Sequence, residues 1–114
     1  MRREFIEDRV KELIADELAV RPEELGPGTR ILHDLGADGM DGYELMERFR
    51  ERFDVDMSEF QFGLHFGPEG CEPFSLLYRL VFARDKLKHV PITVNDLVEA
   101  AERGKWQTPN RPPV

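Results

Sequence analysis

The opening segment of the chain repeats apolar residues at intervals of three and four, and this period constrains the fold more than any other feature. The apolar residues are Ile6, Val10, Leu13, Ile14 and Leu18. Because an α-helix has about 3.6 residues per turn, they form one stripe, and the charged residues between them face water. Such a helix must bury its stripe against other elements. The sequence therefore predicts a mainly α fold, a bundle of about four helices around one core.

A second helix is predicted from about Gly39 to Phe53. Its apolar positions are Met40, Tyr43, Met46, Phe49 and Phe53, with Leu45 on an adjoining row. Asp38 suits the N-cap, because its carboxylate can accept the free amide hydrogens of the first turn. Gly39 and Gly42 are poor helix formers, at up to about 1 kcal/mol each. The two glycines therefore need an explanation other than helix propensity.

Two more helices are predicted towards the end of the chain. The segment "FSLLYRLVFARDKLK", residues 74–88, has a broad apolar face. The last helix follows Thr93, which with Asp96 forms a variant of the capping box, and it ends at Gly104 in a left-handed cap. Its apolar residues are Leu97, Val98, Ala100 and Ala101.

The connecting segments differ in character. In the long loop "GPGTRIL", we expect Ile31 and Leu32, together with Leu35, to pin the chain to the core. An aromatic-rich insertion spans about residues 57–90, and "VDMSEFQFGLHF" within it is compatible with a short strand or a tight helical turn. Pro91 favours an extended "HVPIT". Trp106 is predicted to fold back on the core, before a flexible, proline-rich tail at residues 107–114.

The length of 114 residues fits one small domain, predicted here over residues 1–106. No apolar run approaches the roughly 20 residues of a membrane span, and the first residues lack a secretory pattern. The single cysteine, Cys71, excludes an internal disulfide. We therefore expect a cytoplasmic monomer that is not inserted in a membrane.

The net charge of −7 argues against nonspecific binding of nucleic acid, which depends on clustered Lys and Arg. The charge is unevenly distributed. Between residues 34 and 56 there are eight acids and three arginines, whereas residues 79–89 hold four Arg or Lys and one acid. The molecule is either electrically two-sided or simply covered by solvated helix faces.

No motif predicts a metal site or a catalytic centre. The stretch "DLGADGMDGYEL" superficially resembles a calcium loop that starts at Asp34, but Gly36 and Leu45 replace two ligands, one of them the bidentate Glu. His33, His65 and His89 lack zinc spacing. Cys71 and His65 lack a local pattern typical of a nucleophile and its base. We therefore expect no metal, no cofactor and no enzymatic activity.

The same stretch resembles the acyl carrier protein signature, in which an Asp-Leu-Gly loop leads into Asp-Ser-Leu at the start of helix two. The segments "ELAVRPEELGPGTRILHDLGAD", "FDVDM" and "PITVNDLVEAA" extend the resemblance over residues 3–56 and 91–103. The whole chain, with "FGLHFGPEG" and the closing "ITVNDLVEAAERGKW", also resembles a bacterial acyl-carrier-like family of unknown function, DUF1493, whose members commonly lack the serine.

In carriers the serine hydroxyl receives 4′-phosphopantetheine. The resemblance places Asp38 on the motif's Asp, Met40 on its Leu and Gly39 on the serine, and glycine has no oxygen to form the phosphodiester. In carrier proteins, helix two docks on basic patches of partner enzymes. The resemblance therefore implies a non-catalytic interaction or regulatory module with an unidentified protein partner, and its candidate contacts are Asp38, Met40, Asp41, Glu44, Glu47 and Glu51.

Two alternatives stay open at this point. Ser75 stands in a Ser-Leu pair at a predicted helix start and could attach an acyl group or another small molecule in place of Gly39. A groove between helices could also hold a lipid without a covalent bond. Against the groove, we expect the aromatic residues of the insertion to fill it; they are Phe60, Phe62, Phe66, Phe74, Tyr78 and Phe82.

Overall fold

Four α-helices and one short 3-10 turn provide the regular structure of the computed structural model, which describes residues 3–37, 39–66 and 89–114. The elements are α1 (Arg3–Leu18), the 3-10 turn (Pro22–Glu24), α2 (Gly39–Phe53), α3 (Phe62–Phe66) and α4 (Val94–Arg103). Within these ranges no β-sheet forms, and strand-like pairing is limited to two isolated bridges. The predicted mainly α bundle is confirmed. The predicted helix over 74–88 and the predicted cap at Asp38 lie outside the described residues.

Helix α1 lies at the centre of the described fold and packs against both α2 and α4. Its predicted stripe is confirmed, since Ile6, Val10, Leu13 and Ile14 are buried and Leu18 packs against the core. The same core receives Phe49 from α2 and Trp106 from the segment after α4, both fully buried. The prediction that Trp106 folds back on the core is therefore confirmed.

The loop between α1 and α2 is held by backbone hydrogen bonds as well as by apolar anchors. Ile31 N–H donates to Ile92 O (2.8 Å), and Val94 N–H donates to Thr29 O (2.9 Å). Ile31 is fully buried, and the other two predicted anchors pack against the core. These bonds join the loop to the extended residues that precede α4. The position at which α2 starts is therefore tied to α4 as well as to α1.

Helix α4 begins and ends as predicted. Thr93 and Asp96 form a reciprocal capping box, and Gly104 adopts a left-handed conformation (φ 80°) at the end. The Asp96 carboxylate also accepts two hydrogen bonds from the Arg111 guanidinium, at 2.6 and 3.0 Å. Val114 and His89 exchange backbone hydrogen bonds of 3.1 and 2.9 Å. The tail thus contacts the start of α4 in this structure, while its predicted flexibility stays a prediction.

Helices α1 and α2 end in the same motif without a glycine. Ala19 (φ 56°) and Asp54 (φ 52°) adopt the left-handed conformation just after each helix. The next residue then donates its N–H back into the last turn, from Val20 to Ala15 O (3.2 Å) and from Val55 to Arg50 O. This is the Schellman arrangement, which normally uses glycine because a Cβ costs about 1–2 kcal/mol there. Both helix ends are therefore below their optimal stability.

We expect Ala19→Gly to stabilise the protein by about 0.5–1 kcal/mol, because it removes the Cβ from a left-handed residue. Urea or thermal unfolding followed by circular dichroism measures the change. The matched control is Asp8→Gly, at an exposed position inside α1, which is expected to destabilise by a similar amount because glycine is a poor helix former. Equal losses in both variants would contradict this account of the helix end.

Candidate functional site

The outward face of α2 carries a line of acidic residues with an apolar residue at its head. Met40, Glu44, Glu47 and Glu51 are spaced by four, three and four residues, so they lie along one side of the helix. Met40 is 48% exposed, Glu44 and Glu51 are exposed, and Glu47 is half-buried. We call these four residues the α2 stripe. Its members are four of the six residues that the sequence predicted as partner contacts.

The other two predicted contacts lie apart from this line. Asp41 is exposed but belongs to a neighbouring row of α2, one residue after Met40. Asp38 lies outside the described residues. The structure therefore gathers most of the predicted contacts on one surface, and it shows that Asp41 flanks that surface.

The arginines of α2 leave most of this negative charge uncompensated. Arg48 Nε donates to Glu17 Oε1 on α1 (2.8 Å) and not to Glu44, four residues before it. Arg50 donates to Glu47, three residues before it (3.1 Å). That hydrogen bond raises the pKa of Arg50. Among the described residues, Asp41, Glu44 and Glu51 form no ion pair.

The predicted apolar stripe of α2 is wrong at its first turns. Met40 and Tyr43 are exposed (48% and 45%), and the face turned to the core there consists of Gly39 and Gly42. Further along the helix, Leu45, Met46 and Phe49 are buried. The physical reason is close packing, because a Cβ built on Gly42 would lie 2.6 Å from Cδ1 of Phe66. The Phe66 ring therefore packs directly against the backbone at Gly42.

Helix α3 supplies that ring and extends the exposed surface. Phe66 is buried against Gly42, while Phe62 makes an edge contact with Tyr43 (ring centroids 6.0 Å apart) and stacks on Phe66 (5.3 Å). Sequence reasoning did not include Phe62 or Gly42 in the site. The one signal in the sequence was a glycine inside a helix together with aromatic residues four positions apart. Phe60, Phe62 and Phe66 pack against the core. That the aromatics fill a groove between helices stays a prediction, and the other three lie outside the described residues.

Behind α3 lies a buried aromatic cluster around His65. His65 is 1% exposed, stacks on Phe60 (5.5 Å) and meets the edge of Trp106 (5.6 Å). Its Nδ1 lies 2.9 Å from Val90 O, so Nδ1 carries the hydrogen. His65 Nε2 and Trp106 Nε1 are buried without a hydrogen-bond partner within residues 3–37, 39–66 and 89–114. Burial lowers the pKa of His65 below its usual 6.5, with a smaller opposing effect from the Val90 carbonyl.

Gly39 is buried, but there is space around the position that its Cβ would take, and its backbone conformation is unusual. Its φ is 51°, and a Cβ built there would have no atom within 4 Å. A side chain therefore fits sterically, but it needs a left-handed conformation that L-residues rarely adopt. Glycine itself offers no oxygen or sulfur, so residue 39 cannot form a phosphodiester.

Other possible sites are sparse in the described part of the chain. No group of three or more His, Cys, Asp or Glu side chains there is arranged to hold a metal ion. A shallow open groove of about 270 Å³ between α1 and α2 is lined by Phe5, Arg9, Glu12, Arg52 and Phe53. Arg9 already lies over the Phe5 ring (5.2 Å) and contacts Glu12 (3.4 Å). Three of the five groove residues are charged, although most of the lining surface is apolar.

The membrane prediction is tested on the described helices alone. None of them combines the length and the apolar character that crossing a membrane requires.

We expect Gly42→Ala to destabilise the protein by about 1–2 kcal/mol. Overpacking against Phe66 costs about 1–3 kcal/mol and outweighs a gain in helix propensity of up to about 1 kcal/mol. The measurement is urea unfolding. The matched control is Gly63→Ala in α3, where an added Cβ meets nothing within 4 Å, and it is expected to be neutral or stabilising. An unchanged or raised stability of Gly42→Ala would contradict the close packing of Phe66 against Gly42.

Comparison with known families gives a match over nearly the whole chain. A family model described as "Protein of unknown function (DUF1493)" matches residues 3–108. The match includes α1 to α4, the aromatic insertion and Trp106. It therefore rests on the complete arrangement and not on the loop before α2 alone. Because the description assigns no activity, the function has to be argued from the surface of the molecule.

Proposed function

This chain belongs to the family of proteins of unknown function DUF1493, and we propose that it is a non-catalytic protein-interaction module. The observation that carries the proposal is the α2 stripe. It combines Glu44 and Glu51, whose carboxylates form no ion pair within the described part of the chain, with exposed Met40 and, beside it, Tyr43. Such a surface has a net negative charge and a small apolar contact area at one end.

The charge of the α2 stripe defines the chemistry of its partner. A basic surface attracts the carboxylates over several ångströms and accelerates the encounter, while salt weakens it. Exposed Met and Tyr are residue types enriched at protein interfaces, where they fill apolar pockets. The partner surface should therefore carry Lys or Arg along one line and an apolar pocket at the end that meets Met40.

The resemblance to acyl carrier proteins supports the choice of α2. Carriers present the same helix to their partners, and here the loop and helix start resemble theirs while residue 39 lacks the reactive hydroxyl. We infer an acyl-carrier-like protein without 4′-phosphopantetheine at this position, without a cofactor and without enzymatic activity. Its proposed role is to bind a partner protein through α2, as a carrier does, without carrying an acyl group at Gly39.

We expect the double variant Glu44→Lys/Glu51→Lys to lose at least tenfold of its affinity for partners captured by the wild-type chain. Two charge reversals that together remove about 1.4 kcal/mol of attraction account for a tenfold change. The measurement is affinity capture from a lysate of the source organism with quantitative mass spectrometry, repeated at two salt concentrations.

The matched control for this experiment is Asp8→Lys/Asp16→Lys, which makes the same change of net charge at exposed positions of α1. It should retain the wild-type partners. Partners that bind the two double variants equally would show that the total charge matters and the α2 stripe does not. Capture that is unaffected by salt would also count against a charge-steered surface.

We expect the intact mass of the chain to stay unchanged after co-expression with a phosphopantetheinyl transferase, because residue 39 has no hydroxyl. An added pantetheine mass that disappears in Ser75→Ala would overturn the proposal and establish a carrier with another attachment site. Ser75 lies outside the described residues, so mass spectrometry is the direct measurement.

A further inference from the structure

Helix α3 connects the exposed surface of α2 with the buried cluster behind it. Phe66 lies on Gly42, and Phe62 touches Tyr43, next to the α2 stripe. Between them in the chain, His65 points into the cluster with Phe60 and Trp106. One helix of five residues therefore contacts both regions.

The position of α3 depends on these contacts, because a helix of five residues is far too short to be stable alone. Two hydrogen bonds join it to Val90 within the described residues: Val90 N–H donates to Leu64 O (3.0 Å), and the His65 side chain donates from Nδ1 to Val90 O (2.9 Å). The pairing of His65 and Leu64 with the same residue joins α3 to the extended segment before α4. Among the described residues, the side chains of Phe62, His65 and Phe66 add packing contacts to these bonds.

His65 is the one titratable group in this attachment. Its Nε2 holds a lone pair in a buried site with no partner among the described residues. The charged and titratable groups that act on it are Asp96 on α4, which favours a positive charge, and His89 and Arg111, which oppose it. Asp96 also accepts two hydrogen bonds from Arg111, whose positive charge opposes a second cation nearby. We call the arrangement in which α3 packs against Gly42 the seated state. A positive imidazolium is therefore disfavoured in the seated state.

We propose that α3 gates the docking surface: with neutral His65 it is seated, and Phe62 completes the apolar end of the α2 stripe beside Tyr43. When Nε2 takes up a proton from water, the imidazolium leaves its buried site, α3 lifts from Gly42, and docking weakens. This inference rests on the proposed function, because it assigns regulation by pH to the same surface.

The direction of the pH effect follows from linkage. Well above pH 6.5, His65 is neutral whether α3 is seated or released, and the seated state keeps its full stability. As the pH falls below 6.5, the released state binds a proton more readily than the seated state, whose pKa is lowered by burial. The stability of the seated state is therefore lost as the pH falls towards the lowered pKa.

Nuclear magnetic resonance of the full chain between pH 8 and pH 5 tests the release of α3 without any partner. We expect the signals of Gly42 and the Tyr43 ring to change together with the fluorescence of Trp106, the chain's one tryptophan, with a midpoint below pH 6.5. The signals of Ala19 and Gly26, in the segment after α1, should stay in place. Simultaneous change of all signals would indicate global unfolding and overturn a local gate.

Two variants assign the transition to His65. His65→Phe keeps an aromatic ring, and His65→Asn keeps a donor near Val90 O; neither can titrate, and both should abolish the coupled change. The matched control is His89→Asn, which removes the neighbouring histidine and should leave it intact. A coupled transition that persists in both His65 variants would overturn the proposal. So would a response of Trp106 without a response of Gly42 and Tyr43.

A docking arm separates this inference from the proposed function. The probe is a synthetic amphipathic helix of lysine and leucine, with affinity measured at pH 7.5 and pH 5.5. We expect the wild type to bind about two- to tenfold more weakly at pH 5.5, because one protonation with an ordinary pKa of about 6.5 can shift the seated state by no more than about tenfold at that pH, and His65→Phe to show no such loss. Equal affinities of the wild type at both values would overturn the gate. Absence of binding at either pH would reject the docking surface for a basic helix and so the gated docking, while the partner-free transition would stand.

Discussion

The contact between the Phe66 ring and the bare backbone at Gly42 is the constraint on which the candidate site depends. It fixes α3 against α2, and in doing so it brings Phe62 to Tyr43 and His65 into the aromatic cluster. A side chain at residue 42 would hold the ring away and separate the surface from the cluster. The glycine therefore contributes through the space that it leaves open and not through backbone flexibility.

Much of the fold could be predicted from the sequence, because its signals are local. The stripe of α1, the bounds of α2 and the capping box of α4 each depend on residues within one or two turns of one another. The outward face of α2 could also be predicted from spacing, as its acidic residues recur with the helical period. These features need no knowledge of the neighbouring elements.

The predictions that failed depend on contacts between distant parts of the chain. Counting apolar residues placed Met40 and Tyr43 in the core and gave the glycines no role, although a glycine face can be the more deeply buried one. The partner of Arg48 is Glu17, on another helix and 31 residues away. No local pattern encodes such a choice. The sequence therefore predicts the helical structure of α2 better than it predicts which of its charged residues form ion pairs.

The Asp96 carboxylate has a consequence beyond the cap of α4. It holds the first turn of that helix and the guanidinium of Arg111 at the same time, and the residue at the helix start, Val94, is bonded to Thr29 in the loop before α2. Hydrogen bonds therefore connect the tail to the start of α4, and the start of α4 to that loop. A shortened tail would therefore withdraw the Arg111 guanidinium from the cap of a helix whose start is bonded to the loop before α2.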